Sequence, residues 1–197
     1  MTNYHKESLK IIESFDEKKS LLLHVCCGIC SCYPISFLDK YFNITIIFNN
    51  SNIYPFEEYN KRKNTLIEHI QKYYKHIKII EPEYNNIEYD NKVKHLKDLP
   101  EKGLRCHLCY EIRMKQAYDY ADANKFDYVT TVMTVSRHKD SNIINNIGLR
   151  LEKDYSFTKY FISDFKKNDG SLKTNKEARE NNMYRQSYCG CKYSIKS

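Results

Sequence analysis

The pattern that most constrains the fold of this chain is an alternation of short apolar runs with longer stretches of helical periodicity. The apolar runs are predicted to be β-strands and cover residues 21–25, 44–48, 77–80, 128–133 and 158–162. Helices are predicted between them, near residues 34–41, 56–74, 107–124 and 142–153. Strands that alternate with helices are typical of a mostly parallel sheet flanked by helices. The 197 residues contain no repeat and no linker, so we expect a single α/β domain spanning residues 1–197.

Local hydropathy argues against several classes of protein. The longest apolar runs are about five residues, far short of the roughly 20 that a membrane-spanning helix needs. The first residues, MTNYHKESLK, contain no apolar core of a secretory signal. We therefore expect a cytoplasmic protein with no membrane partner.

Eight cysteines fall into three tight groups, which is the pattern that points most directly to chemistry. The groups are Cys26-Cys27-x-x-Cys30-x-Cys32, Cys106-x-x-Cys109 and Cys189-x-Cys191. Thiols stay reduced in a cytosolic chain, so clustered cysteines there indicate metal or redox chemistry more than disulfides. The first group directly follows the first predicted strand, the position at which open α/β sheets bind their ligands. Spacing alone fits zinc and an iron–sulfur cluster about equally well.

Most of the excess positive charge lies in the C-terminal segment, residues 165–197. This segment has eight basic residues against three acidic ones, which is +5 of the net charge of +7. Tyr184, Tyr188 and Tyr193 are interleaved with the basic residues. Basic side chains with aromatic planes between them suit a nucleic-acid backbone and an unstacked base. A solvated charged face, or a general bias of composition towards Lys and Tyr, explains the same pattern.

Some other polar side chains have simple structural explanations. His24 lies on the first predicted strand and is expected to be a hydrogen-bonded core histidine. His107 lies inside the C-x-x-C motif and is expected to point away from a metal. Glu58 and Arg62 are four residues apart on a predicted helix, a spacing that an ordinary exposed ion pair explains.

Five segments together form a recognisable set of motifs. They are LLLHVCCGIC (21–30), NNSNIYPFEEYNKR (49–62), RCHLCYEIR (105–113), TTVMTVSRHKD (130–140) and YRQSYCGC (184–191). In this order they resemble the QueH family of epoxyqueuosine reductases, from about residue 21 to residue 194. The chain has Ile29, Ser51 and Arg137 where the family usually has proline, which alters turn stiffness and leaves the cysteines in place.

The resemblance implies a nucleotide-hydrolase-like (HUP-like) α/β fold and a specific reaction. That reaction is the two-electron reductive removal of the epoxide oxygen of epoxyqueuosine, which gives queuosine at the wobble position of a tRNA anticodon. The resemblance also implies a [4Fe–4S] cluster, a second metal ion (iron or zinc) close by, and an electron donor that the sequence does not identify.

The family motifs imply roles for individual residues of this chain. The cluster is expected to be bound by cysteines on matching positions, Cys26, Cys27, Cys106, Cys109, Cys189 and Cys191. Cys30 joins them as a seventh metal ligand, whereas Cys32 falls outside the pattern and is interpreted as structural. The catalytic candidates, by motif position only, are Tyr184, Lys139 and Asp140. The RNA-binding candidates are Arg62, Arg105, Lys166, Lys167 and Arg185, and residues 165–197 are expected to complete the site.

Two other functions fit part of the pattern. One is a non-catalytic zinc-binding RNA module, which would be colourless and contain stoichiometric zinc. The other is a thiol–disulfide oxidoreductase that uses Cys106 and Cys109, which would keep most of its activity without Cys189.

Overall fold

The computed structural model describes residues 2–195 and confirms the α/β class. Within those residues a single sheet contains five parallel strands. They are β1 (Lys19–His24), β2 (Phe42–Ile47), β3 (Lys78–Ile80), β4 (Tyr128–Thr131) and β5 (Lys159–Tyr160). Each lies where the sequence predicts a strand. The fourth is shorter than predicted because residues 132–135 form a 3₁₀ turn instead.

Seven α-helices accompany the strands in the described part of the chain. They are α1 (Tyr4–Glu13), α2 (Gly28–Leu38), α3 (Phe56–Tyr73), α4 (Asn86–Val93), α5 (Leu104–Ala123), α6 (Ser141–Glu152) and α7 (Gly170–Glu180). The predicted helices correspond to α2, α3, α5 and α6, although α2 begins at Gly28 rather than near residue 34. The other three are absent from the prediction because their buried faces are small. In α7 that face consists of Gly170, Ser171, Thr174 and Ala178, which give almost no apolar signal.

The core surrounds β1, whose apolar run is continuous because both faces of the strand are covered. Leu21 and Leu23 pack with side chains of α2 and α3 on one face of the sheet. Leu22 packs with side chains of α5 and α6 on the other face. All three leucines have no exposed surface. A strand buried on both faces is expected to be uniformly apolar rather than alternating.

The strand order places a crevice next to the first cysteine group. The order is β3-β2-β1-β4-β5, so the chain builds outward from β1 to one edge and then crosses to β4 on the other side. Ligands of open α/β sheets bind where the connections diverge in this way, beyond the carboxyl ends of the strands. Cys26 and Cys27 directly follow β1 and therefore lie at this point. The arrangement agrees with the expected HUP-like fold.

The predicted domain and its basic segment include Met1, Lys196 and Ser197, which lie outside the described residues. Among residues 2–195, no helix combines the length and the apolar character that crossing a bilayer requires.

Candidate active site

A cavity of about 1000 Å³ brings the three cysteine groups together. The cysteines that line it are Cys26, Cys30, Cys106, Cys189 and Cys191. They come from the connection between β1 and α2 with the first turn of α2, the start of α5 and the C-terminal segment, which are far apart in the sequence. All eight thiols of the chain are free. The fold, rather than a local loop motif, therefore creates this thiol-rich site.

The first group owes its geometry to the tight entry into α2. Cys27 occupies the N-cap in an extended conformation, and Gly28 begins the helix. A β-carbon at Gly28 would lie 2.9 Å from Thr65 Cγ2 and 3.0 Å from the backbone nitrogen of Leu66, so the helix packs closely on α3. As a result, the sulfurs of Cys26, Cys27 and Cys30 all lie within 4.8 Å of one another.

Within this group the three thiols are electrostatically unequal. Hydrogen bonds from Cys27 and Cys30 hold the pKa of Cys26 well below its usual range. Hydrogen bonds with Cys26 and Cys27 raise the pKa of Cys30. Gln186 of the C-terminal segment donates from Nε2 to the Cys27 sulfur at 3.2 Å. Cys26 is therefore the thiol of the group that loses its proton most readily, and sulfur–metal bonds form from thiolates.

The second and third groups lie opposite, where α5 begins. The Cys106 sulfur accepts a hydrogen bond from the backbone nitrogen of Lys102 at 3.3 Å. Cys109, one turn later, is 8% exposed and does not line the cavity. Burial raises the pKa of Cys191, and the nearby Cys109 and Cys189 thiols raise it further. The four thiols are thus close enough to interact with one another.

Arg113 is a buried cation beside the cysteines that the sequence did not single out. Its Nε donates to the carbonyl oxygen of Cys109 at 3.2 Å, and Nη1 lies 3.5 Å from Asn50 Oδ1. Burial alone would lower its pKa, but the sulfurs of Cys109 and Cys26 raise it, so the side chain stays charged. Arg113 lies inside one of the recognisable motifs, and its spacing of four residues from Cys109 on a helix is the signal that could have found it.

Lys139 is the second cation facing the thiols, and it lines the cavity. Burial alone would lower its pKa, whereas the sulfurs of Cys189, Cys26 and Cys30 raise it above the usual range. Of the three catalytic candidates, Lys139 is therefore the one placed among the cysteines.

The other two catalytic candidates have different surroundings. Asp140 is the N-cap of α6, where its carboxylate accepts from the backbone nitrogen of Asn142 at 2.8 Å. Tyr184 lines a neighbouring cavity and donates its hydroxyl hydrogen to Glu58 Oε2 at 2.6 Å. That hydrogen bond raises the pKa of Tyr184 to about 12. Neither residue is among those that line the cysteine cavity.

The expectation that Glu58 and Arg62 form an exposed ion pair is wrong. Their side chains are 8% and 3% exposed, and Arg62 Nε donates to Glu58 Oε1 at 2.7 Å. Arg62 Nη1 also donates to the carbonyl oxygen of Cys189 at 2.9 Å, and Nη2 donates to that of Tyr188 at 3.1 Å. The C-terminal segment covers the pair, and the pair in turn holds the backbone that carries Cys189.

The five RNA-binding candidates differ in the solvent exposure of their side chains. Arg62 is buried as described, and Arg105 is 3% exposed, donating to the carbonyl oxygens of Lys97 and Leu99 at 2.6 Å each. Lys166 is half-buried and donates to the carbonyl oxygen of Thr134 at 3.0 Å.

Lys167 and Arg185 are exposed, and Arg185 also lines the cysteine cavity. The sequence missed three further basic side chains of the lining, Lys102, Arg137 and His138. Against them the described lining residues include one carboxylate, Glu101. The mouth of the cavity is thus strongly basic.

His24 confirms the expectation of a satisfied core histidine. It has no exposed surface, with Nδ1 2.8 Å from Thr131 Oγ1 and Nε2 3.3 Å from Asn50 Oδ1. Burial, together with the charge of Arg113, lowers its pKa to about 3, so the ring is neutral. His107, as expected, does not line the cavity.

The fold and the site together define a class, that of single-domain α/β proteins with a multi-cysteine cavity at the carboxyl end of a parallel sheet. Comparison with known proteins identifies the family. The profile of the family described as "Epoxyqueuosine reductase QueH" matches residues 21–197. The chain belongs to this family, as its motifs predict.

Several curated relatives carry the name epoxyqueuosine reductase QueH. The protein of Streptococcus pyogenes serotype M1 is 36% identical over 195 residues, which is 97% of this chain and 76% of the relative. That of Staphylococcus epidermidis is 35% identical over 201 residues, covering 98% of this chain and 84% of the relative. That of Haemophilus influenzae is 33% identical over 186 residues, which is 94% of this chain and 75% of the relative.

Proposed function

We propose that this chain is a tRNA-modifying oxidoreductase that converts epoxyqueuosine to queuosine at the anticodon wobble position. The observation that carries the proposal is the meeting of Cys26, Cys30, Cys106, Cys189 and Cys191 in one basic cavity. The family membership supplies the substrate, since the relatives are named for it.

The chemistry sets the demands on the site. Both carbon–oxygen bonds of the epoxide break and a carbon–carbon double bond forms, while the oxygen leaves as water. This change consumes two electrons and two protons. An electron donor outside the chain must therefore supply the electrons, and a group in the site must deliver protons to the oxygen.

The donor set fits the metal groups of the proposal. Thiolates are the ligands of iron–sulfur clusters, and Cys26, Cys27 and Cys30 have sulfurs within 4.8 Å of one another. We assign the seven family cysteines to a [4Fe–4S] cluster and a second ion, iron or zinc. Bound there, they would supply single electrons and a Lewis acid for the epoxide oxygen. Arg113 and Lys139 offset the negative charge of so many thiolates.

Lys139 is the residue proposed to hold a proton for the departing oxygen. Its ammonium faces the thiol-lined space, and a positioned proton donor accelerates such a step. Lys102, Arg137 and Arg185 at the cavity mouth would attract the anticodon backbone. The modified base must leave its stack to enter, as single-stranded loop bases do in RNA recognition.

The decisive experiment uses anaerobically reconstituted protein, dithionite and tRNA that contains epoxyqueuosine. Mass spectrometry of the digested nucleosides should show conversion to a product lighter by one oxygen. The protein should be brown, with absorption near roughly 400 nm and labile sulfide. Unchanged nucleoside, or a colourless protein that contains zinc without sulfide, would overturn the proposal.

A matched pair of variants tests the proton donor. Lys139→Gln should reduce turnover at least tenfold while iron and sulfide per chain stay at the wild-type level. Asp140→Asn removes the neighbouring charge but keeps a good N-cap residue, so it should retain turnover. The reverse ranking of the two variants would contradict the role given to Lys139.

A further inference from the structure

A second cluster of potential metal ligands lies between three helices, outside the cysteine cavity. It consists of Cys32 on α2, His69 on α3 and Glu177 on α7. One donor atom from each lies within 4.8 Å of the other two. Cys32 and Cys30 are two residues apart on α2, so they point about 200° apart around the helix axis. Cys32 therefore faces α3 and α7, whereas Cys30 faces the cavity.

His69 is buried in an environment that, within the described part of the chain, leaves its ring nitrogens without partners. Its side chain is 1% exposed, and among residues 2–195 neither ring nitrogen has a hydrogen-bond partner. Nε2 lies 3.4 Å from Glu177 Oε1, but the pair does not have hydrogen-bond geometry. The rings of Tyr73 and Tyr74 pack around it, with centroids 5.3 and 5.7 Å away. Buried polar groups without partners are rare, and imidazole nitrogens are common metal ligands.

The separation of the nitrogen and oxygen donors suits a tetrahedral ion. Zinc–nitrogen and zinc–oxygen bonds of about 2.0–2.2 Å place the two donors about 3.4 Å apart at a tetrahedral centre. The observed separation of His69 Nε2 and Glu177 Oε1 has this value. A mixed set of one thiolate, one imidazole and one carboxylate is within the ligand range of zinc.

An open cavity reaches His69, one of the three candidate ligands. A second open cavity of about 620 Å³ is lined by His69 and Met183. The Met183 sulfur lies 3.5 Å from the Cys32 sulfur. Three protein ligands with a water molecule from this cavity would complete four-coordination.

We propose that Cys32, His69 and Glu177 bind a zinc ion that ties α2, α3 and α7 together. By coordinating one nitrogen of His69, the ion gives that nitrogen the partner it lacks among the described residues. It also fixes α7, the last helix before the segment that carries Cys189 and Cys191. The site is independent of the reductase chemistry, because none of its three ligands lines the cysteine cavity.

Metal analysis of the intact, cluster-reconstituted protein tests this site. After mild chelation and addition of zinc, the wild type should hold one more zinc per chain than His69→Gln or Cys32→Ser. Iron and sulfide per chain should be the same in all three proteins. His76→Gln is the matched control, because His76 is exposed and pairs with Asp39 outside the proposed site, and it should keep the zinc. Equal zinc in the wild type and His69→Gln would overturn the proposal.

Thermal unfolding tests the site independently, in case His69→Gln or Cys32→Ser does not fold. Glu177→Gln changes a carboxylate that is 28% exposed and should fold normally. Zinc should raise the Tm of the chelator-treated wild type and of His76→Gln, since an ion that binds the native state stabilises it. It should leave the Tm of Glu177→Gln unchanged. A zinc-dependent rise of equal size in Glu177→Gln would refute the site.

Discussion

Arg62 shows at the residue scale how one side chain links two distant parts of the chain. Its guanidinium donates to Glu58 on its own helix and to the carbonyl oxygens of residues 188 and 189. Glu58 in turn accepts from Tyr184. Removing one partner of a buried ion pair is costly because it leaves an uncompensated charge. The position of Cys189 therefore depends on a pair located on α3.

Arg62→Gln should destabilise the protein by about 3–5 kcal/mol, because Glu58 then stays buried without its partner. Denaturant unfolding measures this loss, and iron per chain should fall with it as the 188–189 backbone loosens. The exposed pair of Lys92 and Glu88 has the same i, i+4 spacing and provides the control. Lys92→Gln should change the free energy of unfolding by no more than about 0.5 kcal/mol. Similar losses in the two variants would contradict the anchoring role of Arg62.

Arg113 should set the electrostatics of the cysteine site rather than its shape. The potential of an iron–sulfur centre depends on nearby charge and hydrogen bonds. Arg113→Gln removes a buried positive charge and should lower the midpoint potential in an anaerobic redox titration. Arg113→Lys keeps the charge and should shift the potential less. An unchanged potential in Arg113→Gln would show that this charge does not reach the site.

At the scale of elements, α7 depends on close packing by small residues. Gly170 begins the helix, directly after Asp169 in a left-handed backbone conformation. A β-carbon at Gly170 would lie 1.9 Å from the carbonyl oxygen of Phe165 and 2.6 Å from the ring of Tyr33 on α2. The start of α7 therefore has no room for any side chain.

Gly170→Ala should lower the free energy of unfolding by about 1–3 kcal/mol, since backbone and ring must both shift to admit the methyl group. Thermal or denaturant unfolding measures the change. Gly103→Ala is the comparison, because its β-carbon would meet the oxygen of Pro100 at 3.1 Å, a contact that a small adjustment relieves. A loss in Gly103→Ala as large as that in Gly170→Ala would argue against the packing explanation.

At the scale of the whole molecule, the attraction of a phosphate backbone depends more on the charge around the cavity mouth than on the net charge. The exposed basic residues of the lining come from the loop before α5, the loop before α6 and the C-terminal segment. Converging loops concentrate positive potential at one opening, and such a field attracts a phosphate backbone.

Arg137→Gln and Arg185→Gln should each weaken tRNA binding, because each removes a phosphate partner at the cavity mouth. The slope of log K against log salt should become shallower by about 0.7 for each lost contact. Binding measured at several salt concentrations gives this slope. Lys153→Gln removes an exposed charge outside the cavity and should leave the slope unchanged. Equal slopes in all four proteins would place the RNA elsewhere.

The sequence predicts the sheet and the helices α2, α3, α5 and α6, because their patterns are local. It also predicts that Cys26 follows a strand end, which the described fold confirms. It does not predict that Arg62 is buried, since this depends on residues 184–191 folding back over α3. It misses α7 for a related reason, as the buried face of that helix has almost no apolar signal. Information that lies in contacts between distant segments is not visible as a local pattern.

The dependence of the cavity on Cys189 and Cys191 orders events during synthesis. A ribosome has produced all five strands of the described sheet before it reaches Cys189. Products that terminate between Tyr160 and Cys189 would contain all five strands and yet lack two thiols of the cavity wall. The sheet therefore precedes the full set of cavity thiols, and a centre that needs all three cysteine groups can be assembled only after the segment with Cys189 and Cys191 has been made.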